Sequence, residues 1–286
     1  MSYVLAYNDR MELEIVRADP AGNITIFVMN AVEDRELRAE AVRALMADPE
    51  LKAEQVGFVT PPARPGDLWE LQMMGGEFCG NASRSFGLLA ARHDGLSDSI
   101  TLTIKTSGVK LPLQVFVDTK ASYAEIEIPT PLSEEIIEEE GRHFPLYIFE
   151  GIGHVIAEDI VADERLVRCL EKSVEYGQAE DGKSTNPLAG QLQAFGVMFY
   201  DTQKRFLRPV VCVRDAGTLV FESSCASGTA ALALWMARDL HDAGEKFEIA
   251  QPGGTITAHV EKRGGLVRRL SIGGKVTLGG LMRFVF

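Results

Sequence analysis

Two cysteines supply the reactive side chains of this sequence. Cys79 lies in Gly75-Gly76-Glu77-Phe78-Cys79-Gly80-Asn81-Ala82-Ser83, and Cys225 in Phe221-Glu222-Ser223-Ser224-Cys225-Ala226-Ser227-Gly228-Thr229. Each comes just before a stretch that reads as an apolar helix, over 82–93 and 230–240. A helix start offers free N–H groups and the positive end of the helix dipole. That setting is expected to lower a thiol pKa and make a thiolate available. It also binds a carboxylate without any cationic side chain. A lone cysteine before a helix is usually a small buried residue. Here the arrangement occurs twice, with Cys225 146 residues after Cys79.

Inverting a carbon centre needs a base on one face and an acid on the other. Two thiols at two facing helix starts suit that reaction. The thiolate removes an α-proton while the thiol delivers one from the opposite side. The amides of Gly80, Asn81, Ala226 and Ser227 are placed to hold the α-carboxylate, where charge accumulates in the carbanion. The expected partner is a small-molecule amino acid.

The flanking elements must bring the two motifs together. Strands are expected over 14–17, 24–28, 56–59 and 68–73, with a turn at 20–23 and a rigid proline-rich loop at 61–67. A helix is expected over 36–46, with Asp34 as its N-cap. After the first cysteine helix, 100–105, 109–117 and 123–128 read as a β-meander with a turn at Ser107-Gly108. After the second, 247–250, 255–260 and 266–272 do the same around Pro252-Gly253-Gly254. Ser107 and Gly253, like Ile126 and Ile272, are again 146 residues apart. That constant offset is an internal repeat. It predicts an α+β fold of two similar lobes, each a sheet packed on a central helix. Residues 133–141, with five glutamates, read as an exposed charged linker or helix. Residues 177–191 read as a loop.

At 286 residues the chain can bury a large core and form two lobes. Its net charge of −12 and pI near 5.0 argue against nucleic acid or anionic membrane as partners. Residues 1–10 lack the basic start and apolar core of a signal peptide, and no apolar run approaches membrane-span length. The four cysteines, at 79, 169, 212 and 225, form no C-x-x-C pair. They suggest neither a disulfide framework nor a zinc site, so no metal is expected, and a reducing cytoplasm is the default. Cys169 and Cys212 lie in apolar stretches and read as core. His93, His143, His241 and His259 read as surface or structural. The Ser107-x-x-Lys110 match lacks its partner motifs. A different class also fits the cysteine pair: a redox or ligand-binding protein with a reversible Cys79–Cys225 disulfide.

Gly22-Asn23, Cys79-Gly80-Asn81 and the Cys-x-Ser-Gly-Thr of 225–229 resemble the diaminopimelate epimerase superfamily. Within it, Pro20 to Ile26, Glu54 to Phe58, Gly76 to Ala82 and Gln251 to Gly254 resemble segments of the histidine racemases of opine-type metallophore biosynthesis. The resemblance implies a cofactor-independent, two-thiol racemase acting on L-histidine, with Cys79 and Cys225 as the bases. It implies that His154 and Glu222 order the site, and that Asn23 and Gln55 line the substrate pocket. It implies two pseudo-symmetric lobes, each a mostly antiparallel sheet wrapped around a central helix. The N-terminal lobe is then 1–121 plus 266–286, the C-terminal lobe is 122–265, and a homodimer is an open expectation. Diaminopimelate epimerases carry an arginine for a distal carboxylate in a Glu-Arg-Gly segment, where this chain has Phe221 to Ser224. That departure argues against diaminopimelate, although Arg84 keeps the alternative of a diaminopimelate epimerase open.

Overall fold

A computed structural model describes residues 11–176, 188, 192–214 and 218–286. The expected loop at 177–191, Leu188 apart, and the reading of residues 1–10 lie outside these. The first half holds β1 (Glu12–Asp19), β2 (Thr25–Val28), α1 (Arg35–Ala47), β3 (Gln55–Thr60) and β4 (Trp69–Met73). Then follow α2 (Gly80–His93), β5 (Ser99–Thr106), β6 (Leu113–Asp118) and β7 (Tyr123–Glu127). The second half begins with β8 (Ser133–Glu139), β9 (Arg142–Phe149), β10 (Ile152–Glu158), α3 (Glu164–Tyr176), β11 (Ala194–Asp201) and β12 (Phe206–Val213). It continues through β13 (Thr218–Phe221), α4 (Ala226–Met236), β14 (Gly244–Gln251), β15 (Gly254–Arg263) and β16 (Leu266–Lys275). The last strand is β17 (Thr277–Val285).

The strands join in one ladder that is nearly palindromic. From one end it runs β17, β1, β2, β3, β4, β5, β6, β7. The β7–β16 pair then carries it into β15, β14, β12, β11, β10, β9 and β8, with β13 added on β12. Each half has its parallel pairs in the same two places: β2–β3 matches β10–β11, and β4–β5 matches β12–β14. The repeat seen in the sequence is therefore a repeat of hydrogen-bond order. The fold is α+β and double-lobed, as expected.

Each half wraps one helix. Helix α2 packs on β4 to β7 and on β1; α4 packs on β10, β11, β15 and β16. Helix α4 is apolar on most sides, the pattern of a helix enclosed in a core, whereas α2 is buried from Gly80 to Ala91 although it carries Asn81, Ser83, Arg84 and Ser85. Residues Phe86, Leu88 and Ala90 of α2, and Ala230 to Ala233 of α4, are fully buried in one shared central cluster. The two outer helices are amphipathic instead. Asp34 caps α1 by accepting from the Glu36 and Leu37 amides, and the helix buries Ala41 and Leu45.

Three details depart from the sequence reading. The glutamate-rich 133–141 is neither linker nor helix, because residues 133–139 form β8. Glu135, Ile137 and Glu139 alternate with the exposed Glu134, Ile136 and Glu138, a period-two pattern that fits a half-covered end strand. Charges on such a strand also discourage further strand addition. The second helix begins four residues earlier than expected, directly after Cys225, and ends at Met236. Cys212 is buried but not in apolar surroundings, since Arg168 Nη1 donates to its Sγ at 2.9 Å. No described helix is long and apolar enough to cross a membrane.

Candidate active site

Cys79 and Cys225 are the N-caps of α2 and α4. Cys79 Sγ accepts from the Ala82 amide and Cys225 Sγ from the Gly228 amide, both at 3.4 Å. The glycine turns after each helix fasten the cysteine loops. Ser107 Oγ donates to the carbonyl of Glu77 at 2.8 Å, and the Gly253 amide donates to the carbonyl of Ser223 at 2.8 Å. Each acceptor stands two residues before its cysteine, so one clamp is built twice with different donors. A Cβ on Gly108 would lie 2.1 Å from Phe78 N, and one on Gly253 would lie 2.1 Å from Ala21 O. No side chain fits at either glycine.

Both helix starts open on a single cleft of about 1200 Å³. Cys79, Cys225, Asn23, Gln55, Gly80, Asn81, Glu222, Ala226 and Ser227 all line it. The helix starts are in near contact, because a Cβ on Gly80 would sit 3.0 Å from the Ala226 Cβ. Asn81 Nδ2 donates to Ser224 Oγ at 3.2 Å, which ties the first cysteine turn to the second. The amides of Gly80, Asn81, Ala226 and Ser227 donate to no described protein group, whereas those of Ala82, Ser83, Gly228 and Thr229 do.

His154 does not line the cleft. It is fully buried behind Ser227, with Nε2 and Ser227 Oγ hydrogen-bonded at 2.8 Å. Burial holds its pKa down to about 3, so the ring is neutral and acts as a prop for Ser227. Ser227 Oγ in turn lies 3.7 Å from Cys225 Sγ. Arg84 is also fully buried and off the cleft. It donates to Asn81 Oδ1 at 3.1 Å and to the Gly274 carbonyl at 3.0 Å. It supports the helix start from behind and is not placed to receive a distal carboxylate.

The electrostatics correct one expectation. Helix position does not bring the thiols down. Burial pushes Cys79 up to about 11, with the Ala82 amide pulling the other way and Glu77 adding to the rise. Burial also raises Cys225 well above the ordinary thiol value, and Glu222 adds to the rise. One amide at 3.4 Å does not offset the loss of water around a thiolate. Glu222 is itself pushed up to about 7 by burial, against the pull of its bond with Cys225 and with a further push from Glu54.

Sequence reasoning missed three residues. Glu54 accepts from Asn23 Nδ2 at 2.8 Å and from Ser223 Oγ at 3.1 Å, bridging the two halves. Gln251 accepts from the Cys225 amide at 2.9 Å and donates to Thr229 Oγ1 at 2.8 Å. Glu77 lies on the cleft wall beside Cys79. All four cysteines are free thiols. Among the described residues no group of three or more His, Cys, Asp or Glu could hold a metal ion.

Solved structures share this architecture. A hydroxyproline epimerase from Agrobacterium vitis is 13% identical, with a TM-score of 0.63 over 96% of this chain and 92% of that one. A predicted epimerase from Pseudomonas aeruginosa is 13% identical, with a TM-score of 0.65 over 95% and 99%. At that identity the likeness is one of fold, the double-lobed fold of the proline racemase and phenazine-biosynthesis isomerase group. Curated relatives carry the assignment further. A histidine racemase of Fusobacterium nucleatum is 33% identical over 87% of this chain and 90% of its own length. One from Staphylococcus aureus is 26% identical over 94% and 96%. The chain is an isomerase of the amino-acid racemase class. It belongs to the family described as the histidine racemase CntK N-terminal domain, which matches residues 12–280.

Proposed function

We propose that this chain interconverts L- and D-histidine through two cysteines and without a cofactor. The observation that carries the reading is the matched pair of N-cap thiols on one cleft, Cys79 and Cys225. The substrate carboxylate sits on the free amides of Gly80, Asn81, Ala226 and Ser227, where the helix dipoles favour an anion. Its Cα lies between the sulfurs. One sulfur, as thiolate, takes the Cα proton, and the other, as thiol, gives its proton to the opposite face. The first becomes a thiol and the second a thiolate, so the site is ready for the reverse reaction.

A thiolate must first form in a setting that disfavours it. Glu222, titrating near 7 beside Cys225, is the nearby group suited to accept that thiol proton. Asn23 faces Cys79, whose Sγ–H points at Asn23 Oδ1 over 3.8 Å. Lys110 is the one Lys or Arg among the described residues lining the cleft. Together with the position of Arg84, that favours histidine over a dicarboxylate such as diaminopimelate. The histidine assignment rests on the named relatives. The placing of D-histidine in metallophore biosynthesis rests on the sequence resemblance, and the cytoplasmic setting on the cysteine pattern of the sequence.

We also propose lobe limits at 121/122 and 265/266. They exchange the two seam strands between the halves, since β7 pairs with β6 and packs on α2 while β16 pairs with β15 and packs on α4, and the pairing of β17 with β1 supports putting the chain's end in the N-terminal lobe. The test of function is Cα hydrogen exchange with L-histidine in deuterated solvent. Exchange and formation of D-histidine are expected from the reduced protein with no added cofactor. Absence of both, with histidine and with other amino acids, ends the reading.

A further inference from the structure

The two-thiol scheme leaves the half-buried carboxylate of Glu77 unused. Glu77 stands on the cleft wall two residues before Cys79. Its Oε2 is buried and meets no donor among the described residues. Gln55 Oε1, on the same wall, is buried and without a donor as well. The Glu77 segment is held in place. Its carbonyl accepts from Ser107, and its carboxylate folds over Gly75, where a Cβ would come within 2.6 Å of Oε2. A buried carboxylate oxygen without a partner carries its full desolvation cost. Two such acceptors lining one cleft, both on residues that act on Cys79, mark the place of a donor that arrives from outside.

The surrounding charge says what kind of donor. The cleft is lined by Glu54, Glu77, Glu150 and Glu222, against Lys110 alone among the described residues. Such a wall attracts a cation and repels a second anion. The charge on Glu77 also raises the Cys79 thiol, which works against its use as a base. A cation paired to Glu77 reverses that effect, because it cancels the negative potential felt by the sulfur.

We propose that Glu77 and Gln55 seat a cationic N–H group of the substrate, and that pairing this cation with Glu77 is what lets Cys79 act as a base. This deepens the racemase reading and rests on it. The thiol proton leaves to solvent as the thiolate forms, and no further reactant is needed. The cation has two sources in a histidine molecule, the α-ammonium and the imidazolium. Either one makes the same pair with Glu77.

The test uses the full chain and its Glu77→Gln variant. Iodoacetamide alkylation of Cys79, followed by peptide mass spectrometry across pH, reads the free thiol. The variant is expected to alkylate at lower pH than the parent. Calorimetry then compares two probes, L-alanine and 3-(imidazol-4-yl)propanoate. Binding of one probe is expected to weaken by about 10- to 100-fold, the loss of one charge-assisted hydrogen bond. Loss of alanine binding alone assigns the ammonium to Glu77. Loss of imidazolylpropanoate binding alone assigns the imidazolium. Equal loss of both probes, loss of neither, or an unmoved alkylation profile overturns the proposal. Failure of the racemase reading shows separately, as parent protein that exchanges no Cα hydrogen whatever these affinities are.

Discussion

Cys79 and Cys225 hold the same backbone position twice. Both are N-caps with φ −125°, with ψ 112° in one and 117° in the other. Both sulfurs accept the amide three residues on, at 3.4 Å. Sulfurs set alike can exchange the parts of acid and base, which a reversible inversion demands. Replacing either one, as Cys79→Ser or Cys225→Ser, should lower histidine racemisation by about 10²–10⁴-fold, the usual scale for losing a general acid or base. Chiral chromatography of timed incubations measures this. A serine variant that turns over like its parent would remove that cysteine from the mechanism.

Glu222 sets an expected pH dependence. Its carboxyl is pushed up to about 7. It can accept a proton from Cys225 only when ionised, so turnover should rise as pH passes through about 7. Glu222→Gln should be slow and should lose that rise. An initial-rate profile from about pH 5.5 to 8.5, roughly one and a half units on either side of that value, is the check. A parent profile already flat across neutrality would take Glu222 out of the proton path.

His154 makes stability depend on pH with a definite sign. Its folded pKa, about 3, lies below the ordinary 6.5. Between those values the unfolded chain binds the extra proton. The contribution of His154 is therefore complete above about 6.5 and is lost as pH falls toward 3, at roughly 1.4 kcal/mol per unit. Urea midpoints at pH 7 and pH 5 should fall less in His154→Phe than in the parent. The hydrogen bond to Ser227 goes with the ring, so this variant should also be slower at pH 7. Equal falls in the two proteins would count against a neutral buried His154.

How much of this was legible beforehand depends on how local the cause is. The two cysteine turns were readable because glycine, cysteine and the following apolar run are adjacent in the chain, and the 146-residue offset needs only counting. The return of 266–286 to the N-terminal lobe came from the family resemblance, and the pairing of β17 with β1 was not readable from the residues, because nothing near Thr277–Val285 names a partner more than 250 residues away. The run at 133–141 was misread because a charge-rich strand and a charged linker look alike until a neighbouring strand supplies the register. The thiol shift was misread in sign, since a helix start is visible in sequence while the degree of burial around Cys79 is not. Glu54 was passed over for a similar reason, as its two partners, Asn23 and Ser223, meet only once the halves close on each other.

Arg84 offers a stability prediction that separates support from substrate binding. It is fully buried and satisfies Asn81 Oδ1 and the Gly274 carbonyl. Arg84→Met leaves both acceptors without that donor and should cost about 2–4 kcal/mol. Urea titration reads the loss. A variant as stable as the parent would contradict the supporting role, and a change confined to the binding of dicarboxylates would return Arg84 to the cleft.

The most direct test of the two-thiol account is where solvent hydrogen enters during the first turnovers of L-histidine in deuterium oxide. With one sulfur removing a proton and the other delivering one, early D-histidine should carry deuterium at Cα while the remaining L-histidine stays almost unlabelled. Early D-histidine that keeps its original hydrogen would mean that a single group carries the proton across, and the account built on Cys79 and Cys225 would be wrong.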